Sequence, residues 1–273
     1  MSVADRDYSS ISPSALSLLL MKAESSIPYA KQAARVLWGE SAPRELADAL
    51  VEENARRRLR HFVGRYRSLD QLLSESACTN VLELGAGLSF RGLDLTRRSN
   101  TFYIDTDLPN IVTLKSDLIA QLPTPAALGT LRVQALNALD GAAFRATVSA
   151  FPAGPIAIAN EGLLVYLDAR EKAQLAGNVR ATLQARGGVW LTADVYIQNS
   201  GGSAPNVSYG RSREFLDKHR VEQNKFTDWS AAEHFFESQG FRIAQKLAHE
   251  HPLHIRESWA LALARSPERD AEG

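Results

Sequence analysis

At 273 residues, 45% of them hydrophobic and 23% charged, the chain is long enough for one large domain or two small ones with a substantial core. Lysine plus arginine and aspartate plus glutamate both number 31, so no global field draws the protein to nucleic acid or to an anionic membrane. A single cysteine, Cys78, excludes an intrachain disulfide framework and a clustered thiolate metal site.

The first residues carry Asp5, Arg6 and Asp7 in place of a cationic cluster, and the apolar run 15–21 is too short to span a bilayer, which points to a cytoplasmic protein. Residues 1–67 read as an N-terminal helical cap. Ser12 or Ser14 can cap a helix over 15–24, and 44–65 repeats apolar positions at helical spacing, with Leu46, Leu50, Leu59, Phe62 and Val63 as its inner stripe. Arg56, Arg57, Arg58 and Arg60 suit a solvated face. A short helix over 69–76 then leads into the run Asn80-Val81-Leu82-Glu83-Leu84-Gly85-Ala86-Gly87-Leu88, a buried strand passing into a glycine turn. Ser89 stands as the N-cap of a helix over 90–97.

A second strand over 101–105 ends in the acidic stretch Asp105-Thr106-Asp107, where a carboxylate can meet a ribose. Pro109 starts a helix that Pro123 and Pro125 end. A strand over 131–136, a helix over 141–149, a buried strand over 155–161 closing on Glu161, a helix over 169–184 capped by Asp168, and a strand over 189–196 continue the alternation, which argues a parallel sheet covered on both faces. Residues 198–226 break the rhythm with Gly201-Gly202 and Pro205, too long for an ordinary connection, and read as a lid. Asp228 or Ser230 caps a helix over 231–238, and strands over 241–247 and 257–264 pair before a polar tail.

The glycine turn is half of a nucleotide signature. A dinucleotide fingerprint would place a third glycine where Phe90 stands, and a bulky ring opposes the close helix packing that diphosphate binding uses, so NAD or FAD is disfavoured. S-adenosylmethionine, which has no phosphate to cradle, is the commonest other ligand of such a unit.

Three blocks resemble one family. They are Val81-Leu82-Glu83-Leu84-Gly85-Ala86-Gly87-Leu88, Tyr103-Ile104-Asp105-Thr106-Asp107-Leu108-Pro109 continuing through Ile111-Val112-Thr113-Leu114-Lys115, and Glu161-Gly162-Leu163-Leu164-Val165-Tyr166-Leu167. Together they resemble the leucine carboxyl methyltransferase-like branch of class I S-adenosylmethionine-dependent methyltransferases, which includes bacterial polyketide O-methyltransferases. The resemblance covers residues 10–196. It implies an α/β, Rossmann-like sheet of seven mostly parallel strands with the last antiparallel, the helical cap over 1–67, and a cofactor-binding domain over 68–273 with the lid at about 198–226.

Transferred by position, the resemblance implies that S-adenosyl-L-methionine lies against Glu83, Gly85, Ala86, Gly87, Leu108, Asn137 and Ala138. Asp107 would hold the ribose hydroxyls, with Asp105 as second choice. Arg65 would clasp the methionyl carboxylate through a planar fork, and Glu161 would face the cofactor's ammonium group. Lys22 falls where the family has another cofactor-facing residue. Asn137 replaces a family aspartate near the adenine, Ser89 replaces an aspartate after the glycine pair, and Asp94 stands where arginine is common.

An activated methyl needs an aligned acceptor and no metal, and His249, His251 and His254 lack a carboxylate-rich ligand set around them. No catalytic residue is assigned. Acceptor-side candidates are Tyr166, Asp194, Tyr196, Tyr209 and His219. The expected function is transfer of a methyl group to oxygen of a small molecule. Alternatives are a carboxyl methyltransferase for a protein C-terminus, a cofactor-binding protein without catalysis, and a nicotinamide dehydrogenase, the last opposed by Phe90.

Overall fold

The computed structural model describes residues 12–39, 53–198, 217–248 and 258–265. Among these, β1 (Asn80–Leu84), β2 (Phe102–Asp107), β3 (Thr130–Ala135), β4 (Ile156–Asn160), β5 (Gly188–Tyr196), β6 (Phe241–Ala248) and β7 (Ser258–Arg265) form one sheet in the order β3-β2-β1-β4-β5-β7-β6. The first five strands are parallel, and β7 runs antiparallel to both β5 and β6. Continuous apolar runs made β1 and β4 read as doubly covered strands, and every residue of both is buried. The order reverses between β1 and β4, so the crevice beyond their carboxyl ends is where an open α/β sheet binds ligands.

Helices cover both faces. On one, Leu82, Ile104, Ile158 and Trp190 pack on Phe144 of α6 (Gly141–Ser149), Leu175 and Val179 of α7 (Ala169–Arg186) and Phe236 of α9 (Trp229–Ser238). On the other, Val81, Tyr103, Leu191 and the small residues Ala157, Ala159 and Ala193 let α3 (Glu53–Glu75) approach through Leu69, Leu72 and Leu73. A third cluster joins α1 (Ser12–Ala23) and α2 (Ala30–Trp38) to the sheet layer: Leu19, Ile27, Ala30 and Ala33 meet Phe90, Leu93 of α4 (Arg91–Arg98) and Leu118 of α5 (Pro109–Gln121). The amino-terminal helices are thus packed over the same crevice.

Local signals account for most boundaries. Asp168 and Glu171 form a reciprocal capping box on α7, Asp228 caps α9 through the Ala231 N–H, and Pro109 occupies the first turn of α5. Four readings need correction. The two helices expected over 44–65 and 69–76 are, within the described residues, one helix, α3, because nothing between Arg65 and Leu69 breaks it. Its buried side carries His61, Arg65, Tyr66, Ser68 and Leu69, while Leu59, Phe62 and Val63 are only half-buried. The N-cap of α4 is Phe90; Ser89 lies one residue earlier and accepts from the Arg91 N–H at 3.3 Å. Helix α2 went unforeseen, since its N-cap Tyr29 has a left-handed φ of 61° and makes no side-chain cap.

Gly92, two residues beyond Phe90, supplies close helix packing: a Cβ there would stand 2.5 Å from the Tyr103 ring. Phe90 instead points into the cluster beneath α1 and α2. Leu46, Leu50, the arginines 56–58, Tyr209, His249, His251 and His254 lie outside the described residues or side chains.

Candidate functional site

The glycine turn after β1 is fixed from β2. Gly85 and Gly87 have φ of 60° and 54°, a region that costs side-chain-bearing residues and that glycine enters freely. The Ala86 N–H donates to the Thr106 carbonyl at 3.0 Å, and the Gly87 N–H donates to Asp107 Oδ2 at 2.6 Å. Asp107 Oδ1 accepts from the Leu108 N–H at 2.7 Å. Burial raises the Asp107 pKa against the opposing pull of those two N–H groups. Helix α1 lies over the turn, with Ala15 Cβ 3.7 Å from where a Gly87 Cβ would stand.

Asp105, one strand pleat inward, is differently placed. It is 1% exposed and its Oδ2 accepts from Lys115 Nζ of α5, while Oδ1 has no partner among the described residues. Burial raises its pKa to about 7, Lys115 opposing and the Glu83 and Asp107 charges adding. Of the two aspartates, Asp107 is the one at the rim.

At the end of β4, Glu161 gathers three cations from three helices. Its Oε1 accepts from Lys22 Nζ of α1 at 3.2 Å and from Arg65 Nε and Nη2 of α3 at 3.3 and 3.2 Å. Its Oε2 accepts from Arg91 Nη2 of α4 at 2.8 Å. Burial alone would raise the Glu161 pKa; Lys22, Arg65 and Arg91 reverse this and hold it far below the usual carboxylate range. Arg91 also bonds Glu83 and, at 2.5 Å, Asp70, and lies 4.1 Å over the Tyr66 ring. Tyr103 completes the set by donating to Glu83 Oε2 at 2.6 Å. Lys22 is 6% exposed, and burial lowers its pKa in spite of Glu161.

The balance of this cluster is informative. Arg91 is matched by Glu83 and Asp70, whereas Lys22 and Arg65 share one oxygen of Glu161. Counted whole over the described residues, the cluster balances, three cations against the carboxylates of Glu161, Glu83 and Asp70, but Lys22 and Arg65 meet only one carboxylate oxygen between them and keep N–H groups for a ligand's oxygens. Gly162, at φ 82°, keeps the space open, because a Cβ there would lie 3.3 Å from Arg65 Nη2.

The remaining predicted residues fall into place as follows. Asn137 is exposed and its Oδ1 accepts from the Leu139 N–H at 3.0 Å; the Ala138 carbonyl accepts from Asn178. Asp194 accepts from the Gly162, Leu163 and Leu164 N–H groups and from Asn160 Nδ2, so it anchors the turn after β4 and has little capacity left as a base. Tyr196, at the end of β5, bonds Arg65 and His61. Tyr166 sits in the one-turn helix Leu164–Tyr166, edge-on to His219 at 6.1 Å between ring centroids. That corner is held by Lys172, which donates to the Leu167 and Asn224 carbonyls, and by Asn224, which donates to the Val165 carbonyl at 3.1 Å. Helix α8 (Val221–Asn224) precedes the bridge between Ile197 and Phe226, and residues 199–216 of the expected lid lie outside the described residues.

His61, Arg91, Asp70, Lys115 and Lys172 were missed in the sequence. His61 was accessible to reasoning, since it lies one helical turn before Arg65 on the same face. Among the described residues no helix is long and apolar enough to cross a membrane, and no group of three His, Cys, Asp or Glu side chains is placed to hold a metal ion.

Residues 10–180 match the sequence model of a family described as leucine carboxyl methyltransferase. No curated protein matched the chain. Among solved structures, magnesium protoporphyrin IX methyltransferase (ChlM) from Synechocystis PCC 6803 with bound SAH is 11% identical, with 90% of this chain and 99% of that one covered and a TM-score of 0.50. The mitomycin 7-O-methyltransferase MmcR is 13% identical, with 93% and 67% covered and a TM-score of 0.51. A LepI variant in complex with SAH and a substrate analogue is 12% identical over 68% of this chain, at a TM-score of 0.46, and the chain spans about 42% of its length. At these identities the likeness is one of fold.

Proposed function

The chain belongs to the leucine carboxyl methyltransferase family of S-adenosylmethionine-dependent methyltransferases, and from that premise we propose that it methylates an oxygen of a small molecule, with the cofactor across the carboxyl ends of β1, β2 and β4. The observation that carries the placement is the pair Lys22 and Arg65 sharing a single oxygen of Glu161. A zwitterionic amino-acid end meets that arrangement: its carboxylate takes N–H groups of Arg65 and Lys22 that Glu161 and Tyr196 leave over, and its ammonium faces Glu161. Asp107 takes the ribose hydroxyls with its outward lone pairs, Gly85, Ala86 and Gly87 admit the chain of the ligand closely, and Leu108, Asn137 and Ala138 border the adenine.

Bound S-adenosylmethionine supplies a methyl group already activated on a sulfonium. The protein's part is to hold the acceptor oxygen in line with that methyl and to keep water out, which the packed α1 suits. Support for a hydroxyl acceptor comes from the resemblance to polyketide O-methyltransferases. The carboxylate of a protein C-terminus is the competing reading, and the family's description names a leucine carboxyl.

Titration calorimetry with S-adenosylhomocysteine and with NAD⁺ tests the cofactor assignment: binding of the first and not the second is expected, and the reverse refutes it. With a turned-over acceptor, a carboxylate gives a rate nearly flat from about pH 6 to 8 and a methyl ester, whereas a phenol near pKa 10 gives a rising rate and a methyl ether.

A further inference from the structure

Arg65 is oriented from two sides, and the side away from Glu161 contains a hydrogen-bond order that can be worked out. Tyr196 Oη has two partners among the described residues, Arg65 Nη1 at 2.8 Å and His61 Nε2 at 2.9 Å. All three side chains are buried. A guanidinium only donates, so Tyr196 Oη accepts from Arg65. Were His61 Nε2 also a donor, the phenol proton would be buried with no acceptor, an arrangement native structures avoid. The order that leaves fewer buried polar atoms unmet runs from Arg65 to Tyr196 to His61, with Nε2 accepting and the proton on Nδ1, an atom that is itself buried without a hydrogen bond among the described residues. Burial pushes the Tyr196 pKa up to about 12, so the phenol keeps its proton.

The described charged groups on the elements packed near Arg65 and His61 balance, three cations against three carboxylates besides Asp194. Arg65, Lys22 and Arg91 lie on the helices packed there, against Glu161, Glu83 and Asp70, and Asp194 is committed to backbone N–H groups. Phe62 walls the chain off, its ring 5.3 Å from His61 and 4.9 Å from the Arg65 guanidinium.

We propose that His61 is a positioning residue for the carboxylate of the cofactor: by accepting the Tyr196 proton it fixes the phenol oxygen as an acceptor and so locks the rotation of the Arg65 guanidinium. With Nε and Nη2 engaged by Glu161 and Nη1 by Tyr196, one N–H on each Nη is left, a pair that a carboxylate can take together. This role rests on the S-adenosylmethionine reading and deepens it.

Two measurements test it. In ligand-free protein, the imidazole ¹⁵N shifts of His61, assigned by their loss in His61→Gln, should report an unprotonated Nε2 and a protonated Nδ1; the opposite tautomer or an imidazolium overturns the proposal. In calorimetry, His61→Phe and Tyr196→Phe should each weaken S-adenosylhomocysteine by about two- to tenfold, the scale of one net hydrogen bond, and leave 5′-methylthioadenosine, which lacks the amino-acid end, unchanged. The double variant should be no worse than either single one, and His61→Gln, whose amide oxygen can accept the phenol proton, should recover the loss. Additive losses, or equal losses for both ligands, overturn the role of His61 while a binding wild type leaves the cofactor reading standing. A wild type that binds neither ligand removes both. Should His61→Phe not fold, His61→Leu takes its place, and the wild-type tautomer still decides the hydrogen-bond order.

Discussion

Arg65→Gln isolates the amino-acid end of the ligand from the nucleoside. Arg65 is 4% exposed, so a carboxylate bound to it is screened little by solvent. A hydrogen bond to a charged group contributes about 1.5–3 kcal/mol, so S-adenosylhomocysteine should weaken by about 10- to 150-fold. The lower end applies if Lys22 compensates, since it reaches the same Glu161 oxygen at 3.2 Å. 5′-Methylthioadenosine keeps the adenine and ribose and lacks the carboxylate, so its affinity should hold within about twofold. The variant also loses two bonds to Glu161 and one to Tyr196, and calorimetry should therefore be run well below its own melting temperature. Equal weakening of both ligands would mean that Arg65 only shapes the crevice, and no weakening of either would refute the carboxylate assignment.

Other consequences follow from the same geometry. Glu161→Gln leaves Lys22 and Arg65 without a carboxylate and should destabilise the ligand-free protein by about 3–5 kcal/mol in denaturant unfolding. Because the folded-state pKa of Glu161 is depressed, this advantage of the wild type should be full above the unfolded value of about 4.3 and shrink as pH falls below it; a pH-independent difference would contradict the pairing. Asp105 has a raised folded-state pKa, so its contribution has the opposite sign: the wild type should lose stability relative to Asp105→Asn/Lys115→Met as pH rises from about 4 to 7, with a flat difference arguing against it. Gly92→Ala should cost about 1–3 kcal/mol through the clash with Tyr103, and a neutral effect in thermal melts would show that α4 can shift.

The sheet was legible because doubly covered strands write themselves as unbroken apolar runs, as in Val81-Leu82 and Ile156-Ala157-Ile158, and because Asp168, Pro109 and Asp228 mark helix starts by local chemistry. Helix α3 was harder. Its site-facing side is His61, Arg65 and Ser68, polar residues that a hydrophobic period assigns to solvent, and they are buried only because partners arrive from far along the chain. Glu161 meets Lys22 across 139 positions and Arg65 across 96, separations at which spacing carries no signal. Strand-end geometry alone favoured Asp105 over Asp107. The preference for Asp107 rested on the resemblance, and the pairing of Asp105 with Lys115, one helix later, carried no signal in the spacing.

The structure of the protein with S-adenosylhomocysteine tests the central claim most directly. The account predicts the ligand's carboxylate hydrogen-bonded to Arg65 and Lys22, its ammonium at Glu161 and its ribose hydroxyls on Asp107. A ligand bound with its amino-acid end elsewhere, or no ligand after millimolar soaking, would contradict it.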